Sequence, residues 1–222
     1  MYFFPHIPKS GGTTIKELFY DAFCFKDCIK VWDPNFGADI DGSGFASLPL
    51  EYFSGKKAII GHLSFRDMLK NPYMASLHKR GHIKPVTVIR DPIERIISER
   101  NYKCAMTNHP YHKSTLSKPP ITDIMERKEN FQVQFLREVD DEPVRSIVNR
   151  MECFAIKGSE EKLRIWLQRE TNKEIKIITP KNVTQEKFPN YTPLDKSFLS
   201  KEELKILYQK HEEDFRLYRL AK

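Results

Sequence analysis

The sequence has no apolar run of the about 18 residues that a membrane-spanning helix requires. Its first residues lack the basic segment and the small-residue cleavage site of a secretory signal peptide. Four cysteines are too few for a disulfide scaffold, and no second cysteine or histidine pair is placed to complete a zinc site with Cys24 and Cys28. We therefore expect reduced cysteines, a cytoplasmic location and no membrane span.

The composition excludes an intrinsically disordered chain, because 40% of the residues are hydrophobic and 12% are aromatic. Lysine and arginine total 37 against 30 acidic residues, which gives a formal charge of +7. Such a balance favours an anionic partner, but it does not separate a nucleic acid, a membrane, a nucleotide and an acidic sugar. A merely soluble basic surface explains the charge equally well.

The chain contains no internal repeat, low-complexity tract or long linker, and its length favours one domain over residues 1–222. Short apolar runs alternate with segments of helical periodicity. This pattern is typical of an α/β fold whose mostly parallel central sheet is flanked by helices. The apolar runs predict strands at residues 2–7, 57–61, 85–89 and 175–179.

Helices are predicted from spacing and capping residues. Apolar residues recur on one helical face over 15–23, and Asp91-Pro92 is typical of a helix start. A capping box at Ser200 opens a last helix that extends to about residue 218. Residues 104–120, rich in proline and histidine, indicate an irregular loop that forms either a substrate mouth or a plain surface connection.

The first stretch with chemical meaning is Pro8-Lys9-Ser10-Gly11-Gly12-Thr13-Thr14, between a predicted strand and a predicted helix. Glycines let a backbone approach an anion closely, helix N-terminal amides point at it, and threonine hydroxyls add donors. The lysine precedes the glycines, unlike in the nucleotide triphosphatase pattern G-x-x-x-x-G-K-S/T, so Lys9 is placed for a bridging oxygen. The stretch predicts a P-loop-like phosphate cradle, and a Gly-Gly turn with capping threonines is the alternative.

The second stretch covers residues 88–102. Arg90 follows a predicted strand, at the carboxyl end where open parallel sheets bind ligands. Arg95, Ser98 and Tyr102 are spaced to share one face of the following helix. Arg90 and Ser98 together would clamp a second phosphate, whereas a basic, solvated helix face is the alternative.

Together the two stretches resemble the sulfotransferases that use 3′-phosphoadenosine 5′-phosphosulfate (PAPS). The first is similar to the family's 5′-phosphosulfate loop, and the second, an R-D-P-x-x-R-x-x-S run, to its 3′-phosphate motif. His6 to Thr14 is similar to the carbohydrate branch, which includes the heparan sulfate 2-O- and 6-O-sulfotransferases, and residues 214–218 resemble the family's end. Pro5 inside the first strand and the lack of a transmembrane anchor depart from that branch, and the missing anchor favours a soluble, bacterial-type enzyme.

The resemblance implies a sulfotransferase fold, PAPS as the donor, 3′-phosphoadenosine 5′-phosphate (PAP) as the product, and no metal. The acceptor would be a hydroxyl group on a small molecule or an oligosaccharide, with no nucleic-acid partner. Lys9 would stabilise the bridging oxygen of the leaving phosphate. The implied cofactor-binding residues are Lys9, Ser10, Gly11, Gly12, Thr13, Thr14, Arg90 and Ser98.

The same resemblance gives His62 a role. The segment Gly61 to Phe65 is similar to the G-H-V/L-x-F/Y segment that carries the catalytic base in the 2-O branch. An imidazole with a pKa of about 6.5 suits removal of a proton from a sugar hydroxyl at neutral pH. A lone histidine is more often structural, so the base role depends on the strand-end position and the resemblance. Candidate acceptor contacts are Arg66, Tyr102, His109 and His112.

The family also folds a late loop over the cofactor, which implies contacts from Lys181, Thr184 and Lys187, although a basic turn explains these residues too. Two other functions stay open. A nucleoside triphosphate kinase with an unusual phosphate loop would bind Mg-ATP. A non-catalytic basic module for anionic polymers would lose affinity steeply with salt.

Overall fold

The computed structural model describes residues 1–31, 42–105, 117–176 and 191–221. Its centre is a five-stranded sheet in the order β2-β3-β1-β4-β5, and all neighbouring strands are parallel. The predicted α/β fold with a parallel central sheet is therefore confirmed. The strands are β1 Tyr2–Pro5, β2 Cys28–Val31, β3 Ala58–Gly61, β4 Lys84–Ile89 and β5 Cys153–Ile156.

Helices follow most of the strands and flank the sheet. Among the described residues, no helix is both long and apolar enough to cross a membrane. The helices are α1 Gly12–Phe23, α2 Gly42–Phe45, α3 Phe65–Leu69, α4 Pro72–Lys79, α5 Pro92–Ala105, α6 Pro120–Met125, α7 Phe131–Leu136, α8 Val144–Arg150, α9 Glu160–Thr171, α10 Lys201–Lys210 and α11 Glu212–Ala221.

The two faces of the sheet belong to two hydrophobic clusters. Phe4 packs with Phe19 of α1 and with α9 on one face, whereas Phe3 packs with Phe65 of α3 and with α4 on the other. Successive side chains of a strand point to opposite faces, so adjacent phenylalanines can serve both cores. This double burial explains why β1 and β3 have continuous apolar sequences instead of alternating ones.

The chain leaves the neighbouring strands β1 and β4 in opposite directions, toward β2 on one side and β5 on the other. Ligands of open α/β sheets bind in the crevice that forms outside the carboxyl ends of such strands. Because all the strands are parallel, the segments that follow β1, β3, β4 and β5 meet at this edge. These segments begin at residues 6, 62, 90 and 157.

Pro5 lies where the sheet requires no amide donor. The amides of Tyr2 and His6 donate to the β3 side, to Lys57 O at 2.9 Å and Gly61 O at 2.8 Å. Residues alternate along a strand, so the nitrogen of Pro5 faces β4, whose pairing with β1 ends at Phe3. There the Thr87 hydroxyl donates to Pro5 O at 3.1 Å and replaces a backbone bond.

Several predicted boundaries differ from the structure. The first strand ends at Pro5 instead of residue 7, and the last predicted helix is divided at His211 into α10 and α11. The predicted strand at 175–179 is wrong where it is described, since Ile175 and Lys176 are not in a strand. Its other residues, and residues 106–116 of the predicted loop, lie outside the described ranges. Strands β2 and β5 were not predicted, because four-residue buried runs carry little periodic signal.

Candidate active site

The chain turns sharply between β1 and α1. Lys9 and Gly11 have φ angles of 67° and 92°, and the Ser10 amide donates to Ile7 O at 3.3 Å. Left-handed residues in such a turn direct backbone amides toward one side and form an anion-binding concavity. The N-terminus of the twelve-residue helix α1 adds a positive dipole end. The turn therefore has the geometry of an anion cradle.

Ser10 has a hydroxyl group that suits a ligand in this cradle. Its side chain is 1% exposed, and its Oγ has no hydrogen-bond partner within the described ranges. An unpaired buried hydroxyl is unfavourable, so an anion that accepts from it would stabilise the site. Thr14 is buried in the first turn of α1, and Thr13 also belongs to that turn.

His6 packs against the start of α1. A Cβ atom built on Gly12 would lie 1.7 Å from His6 Nε2, so only glycine leaves room for the ring. Burial lowers the pKa of His6 well below its usual range, and the nearby His62, Lys16 and Lys9 lower it further. His6 is therefore a neutral ring at the base of the cradle.

His62 is half-buried directly after β3. Its Nδ1 lies 2.8 Å from His6 O, and the two imidazole rings stack with their centroids 4.2 Å apart. A carbonyl oxygen only accepts, so Nδ1 carries the proton and Nε2 of the neutral ring carries the lone pair. Gly61 permits this path, because a Cβ there would lie 1.8 Å from Val31 O. In its neutral form, His62 would therefore present Nε2 as the proton-accepting nitrogen.

Lys9 extends toward α5, where its Nζ lies 4.0 Å from the centroid of the Tyr102 ring. Burial and the nearby Arg90 together lower the pKa of Lys9 to about 8, against the opposing effect of Glu99. An anion in the cradle would favour the charged form of Lys9. The structure places Tyr102, a predicted acceptor contact, beside this lysine.

Arg90 joins the end of β4 to the cradle. Its guanidinium donates to Lys9 O at 3.4 Å and to Glu94 at 3.3 Å. Ser98 is half-buried on α5. Arg95, from the same motif, is 2% exposed and paired with Glu99 at 3.1 Å, which makes it a core residue instead of part of a solvated face.

Lys157 is a candidate that the sequence analysis missed. It follows β5, and its amide donates to Ile89 O at 2.8 Å, immediately before Arg90. Its side chain is exposed, and its Cγ lies 3.5 Å from the position of a Cβ on Gly11. The short apolar run Cys153 to Ile156, which is followed by Lys-Gly, is the sequence signal that could have identified this strand end.

One further predicted residue, Arg66, has an acidic partner, and others fall outside the described ranges. Arg66 is on α3 and pairs with Asp140 at 2.6 Å. Across the described parts of the chain, no group of three or more histidine, cysteine or acidic residues is arranged to hold a metal ion. The predicted residues outside the described ranges are His109, His112, Lys181, Thr184 and Lys187.

An anion cradle after the central strand of a parallel sheet, with cations at neighbouring strand ends, is the arrangement of a P-loop-like, anion-binding α/β fold. The sequence model of the sulfotransferase family matches residues 2–146, and the chain belongs to this family. The predicted family is confirmed, and the protein is a transferase that moves sulfuryl groups. The matched region contains Lys9, His62 and Arg90, whereas Lys157 lies beyond it. No curated protein matches the chain.

Proposed function

We propose that this sulfotransferase uses PAPS as its donor and transfers the sulfuryl group to a hydroxyl group of a carbohydrate. One observation carries the proposal: His62 and Arg90 both hydrogen-bond to carbonyl groups of the loop that leads into the cradle. His62 Nδ1 lies 2.8 Å from His6 O, and Arg90 lies 3.4 Å from Lys9 O. The proposed base, His62, and the cation of Arg90 therefore lie on opposite sides of one anion site.

PAPS, when bound, supplies the sulfuryl group and leaves as PAP. His62 Nε2 accepts the proton of the acceptor hydroxyl, a role typically worth ~10²–10⁴-fold in rate. The Lys9 ammonium donates to the oxygen that gains charge as the phosphate leaves. The cradle amides and the hydroxyls of Ser10 and Thr14 hold the 5′-phosphate, and Thr13 remains a candidate contact.

The second phosphate distinguishes PAP from AMP. Arg90, with Ser98, binds this 3′-phosphate at the end of β4, and each charge-assisted hydrogen bond contributes about 1.5–3 kcal/mol. Lys157 adds a cation on the Gly11 side of the cradle. Lys181, Thr184 and Lys187 remain candidate cofactor contacts, and Arg66, His109 and His112 remain candidate acceptor contacts.

We further propose that residues 1–222 form one catalytic domain, although the family match ends at residue 146. Packing at the C-terminus supports this. Leu217 and Ala221 of α11 belong to one buried cluster with Ile7 and Ile89, which flank the cradle and Arg90. The last helix therefore completes the core beneath the site.

Calorimetric titration with PAP, AMP and Mg-ATP tests the donor. We expect PAP to bind and AMP, which lacks the 3′-phosphate, to bind more weakly by at least tenfold, as for the loss of one charged contact of ~1.4 kcal/mol or more. Labelled PAPS with carbohydrate and non-carbohydrate hydroxyl compounds then tests the acceptor. A folded protein that does not bind PAP would overturn the proposal, and preference for Mg-ATP would favour a kinase.

A further inference from the structure

Gln132 holds the backbone of Arg90 from both sides. Its side chain is fully buried, its Oε1 accepts from the Arg90 amide at 3.0 Å, and its Nε2 donates to Arg90 O at 2.9 Å. A primary amide is suited to this double contact, because one end accepts and the other donates. The two bonds fix the peptide groups on either side of the Arg90 side chain.

Gln132 is itself held from the C-terminal helix. Asp214 of α11 is 1% exposed and accepts from the amides of Gln132 and Val133 at 3.2 and 2.8 Å. Its own amide donates to the Asn130 side chain at 3.2 Å. Asp214 therefore supplies the N-terminal cap of α7 from a distant helix, and this cap determines where Gln132 lies.

We propose that Gln132 is a positioning residue for the anion site and that it acts through Arg90. The proposal rests on the proposed function, in which the Arg90 guanidinium binds the 3′-phosphate. The Gln132 amide donates to Asp214, the Arg90 amide donates to the Gln132 side chain, and the Arg90 guanidinium donates to the carbonyl of Lys9 in the cradle. Misplacement of a binding group by about 1 Å is enough to reduce its contribution strongly.

The test is the affinity of Gln132→Leu for PAP and for AMP. Leucine has a similar size and removes both bonds to Arg90. We expect PAP binding to weaken about tenfold or more and AMP binding to change less than twofold, because AMP lacks the group that Arg90 contacts. In the double variant, Gln132→Leu should add little to the loss of PAP affinity that Arg90→Ala causes. Both substitutions affect the same contact, between Arg90 and the 3′-phosphate.

Gln134→Leu is the matched control, since Gln134 is half-buried on the same helix. If Gln132→Leu does not fold, Gln132→Glu retains the acceptor for the Arg90 amide and should weaken PAP selectively. Some loss of thermal stability is expected either way, because Gln132→Leu leaves the Arg90 amide and carbonyl unpaired. A merely structural role would weaken PAP and AMP equally, or neither of them, and either result would overturn the inference. Wild-type protein that binds PAP and AMP equally would instead overturn the proposed function, whatever the variants do.

Discussion

The imidazole rings of His6 and His62 stack with centroids 4.2 Å apart, and the His6 carbonyl accepts from His62 Nδ1 at 2.8 Å. His62 is therefore held by both the ring and the backbone of the residue that opens the cradle loop. Because burial keeps His6 neutral, its ring contributes packing without adding a charge. The position of the proposed base consequently depends on the loop that forms the cradle.

Gly12→Ala tests this packing. Alanine normally stabilises a helix by ~1 kcal/mol relative to glycine. Here the new Cβ would lie 1.7 Å from His6 Nε2, so the ring must move. We expect a net loss of about 1–3 kcal/mol, the usual cost of overpacking, measured by urea unfolding.

The losses of unfolding free energy caused by His6→Ala and Gly12→Ala should be less than additive in the double variant. The reason is that His6→Ala removes the ring that Gly12→Ala displaces. Gly81→Ala is the control. A Cβ at position 81 meets no atom within 4 Å, so Gly81→Ala costs stability only through its backbone φ of 72°. This loss of unfolding free energy should add fully to that of His6→Ala. A Gly12→Ala protein as stable as the wild type would contradict the predicted collision.

His62→Ala tests the proposed base. We expect kcat to fall by ~10²–10⁴-fold, the usual contribution of general-base catalysis. PAP affinity should stay within twofold, since no contact assigned to the nucleotide involves the imidazole. The measurement is steady-state transfer from labelled PAPS beside calorimetry, with the exposed His82→Ala as control. Unchanged kcat in His62→Ala would leave the imidazole with a structural role only.

Local sequence patterns predicted the parts of the fold and site that depend on neighbouring residues. The turn at Gly11, the helix start at Asp91 and the strand end at His62 all follow from nearby residue types. Asp91 Oδ1 does accept from the amides of Ile93 and Glu94, at 3.0 and 3.1 Å. These features form wherever the segment lies in the fold, so they are visible before the sheet order is known.

Contacts between distant segments could not be predicted in this way. Lys157 joins the site only because β5 lies next to β4, and Gln132 is 42 positions from Arg90 along the chain. Asp214 is 82 positions beyond Gln132. No local period encodes such pairings, since the order of the strands and the docking of α11 determine them. The burial of Arg95 could not be predicted from the sequence for the same reason.

Lys157→Ala tests the residue that only the structure revealed. Its side chain lies beside Gly11 of the cradle, so we place it on the 5′-phosphate side. We expect its loss to weaken PAP and AMP together, by about tenfold, as for one charged contact. Lys162→Ala, an exposed lysine on α9, should change neither affinity. If Lys157→Ala weakened the binding of PAP but not of AMP, Lys157 would instead be assigned to the 3′-phosphate, beside Arg90.

The pH dependence of kcat/KM for PAPS tests Lys9. Burial and Arg90 lower the pKa of Lys9 to about 8, so its proton is lost as the pH rises through that value. Since kcat/KM reports ionisations of the free enzyme, we expect it to fall above pH 8 with the loss of the Lys9 charge.

Lys9→Arg should remove this alkaline limb, because a guanidinium stays protonated, even if its different shape lowers the plateau. Glu99→Gln should move the limb to lower pH, because Glu99 favours the protonated lysine. Profiles recorded at constant ionic strength would contradict the assignment if Lys9→Arg kept the same limb, since another group would then carry the titration.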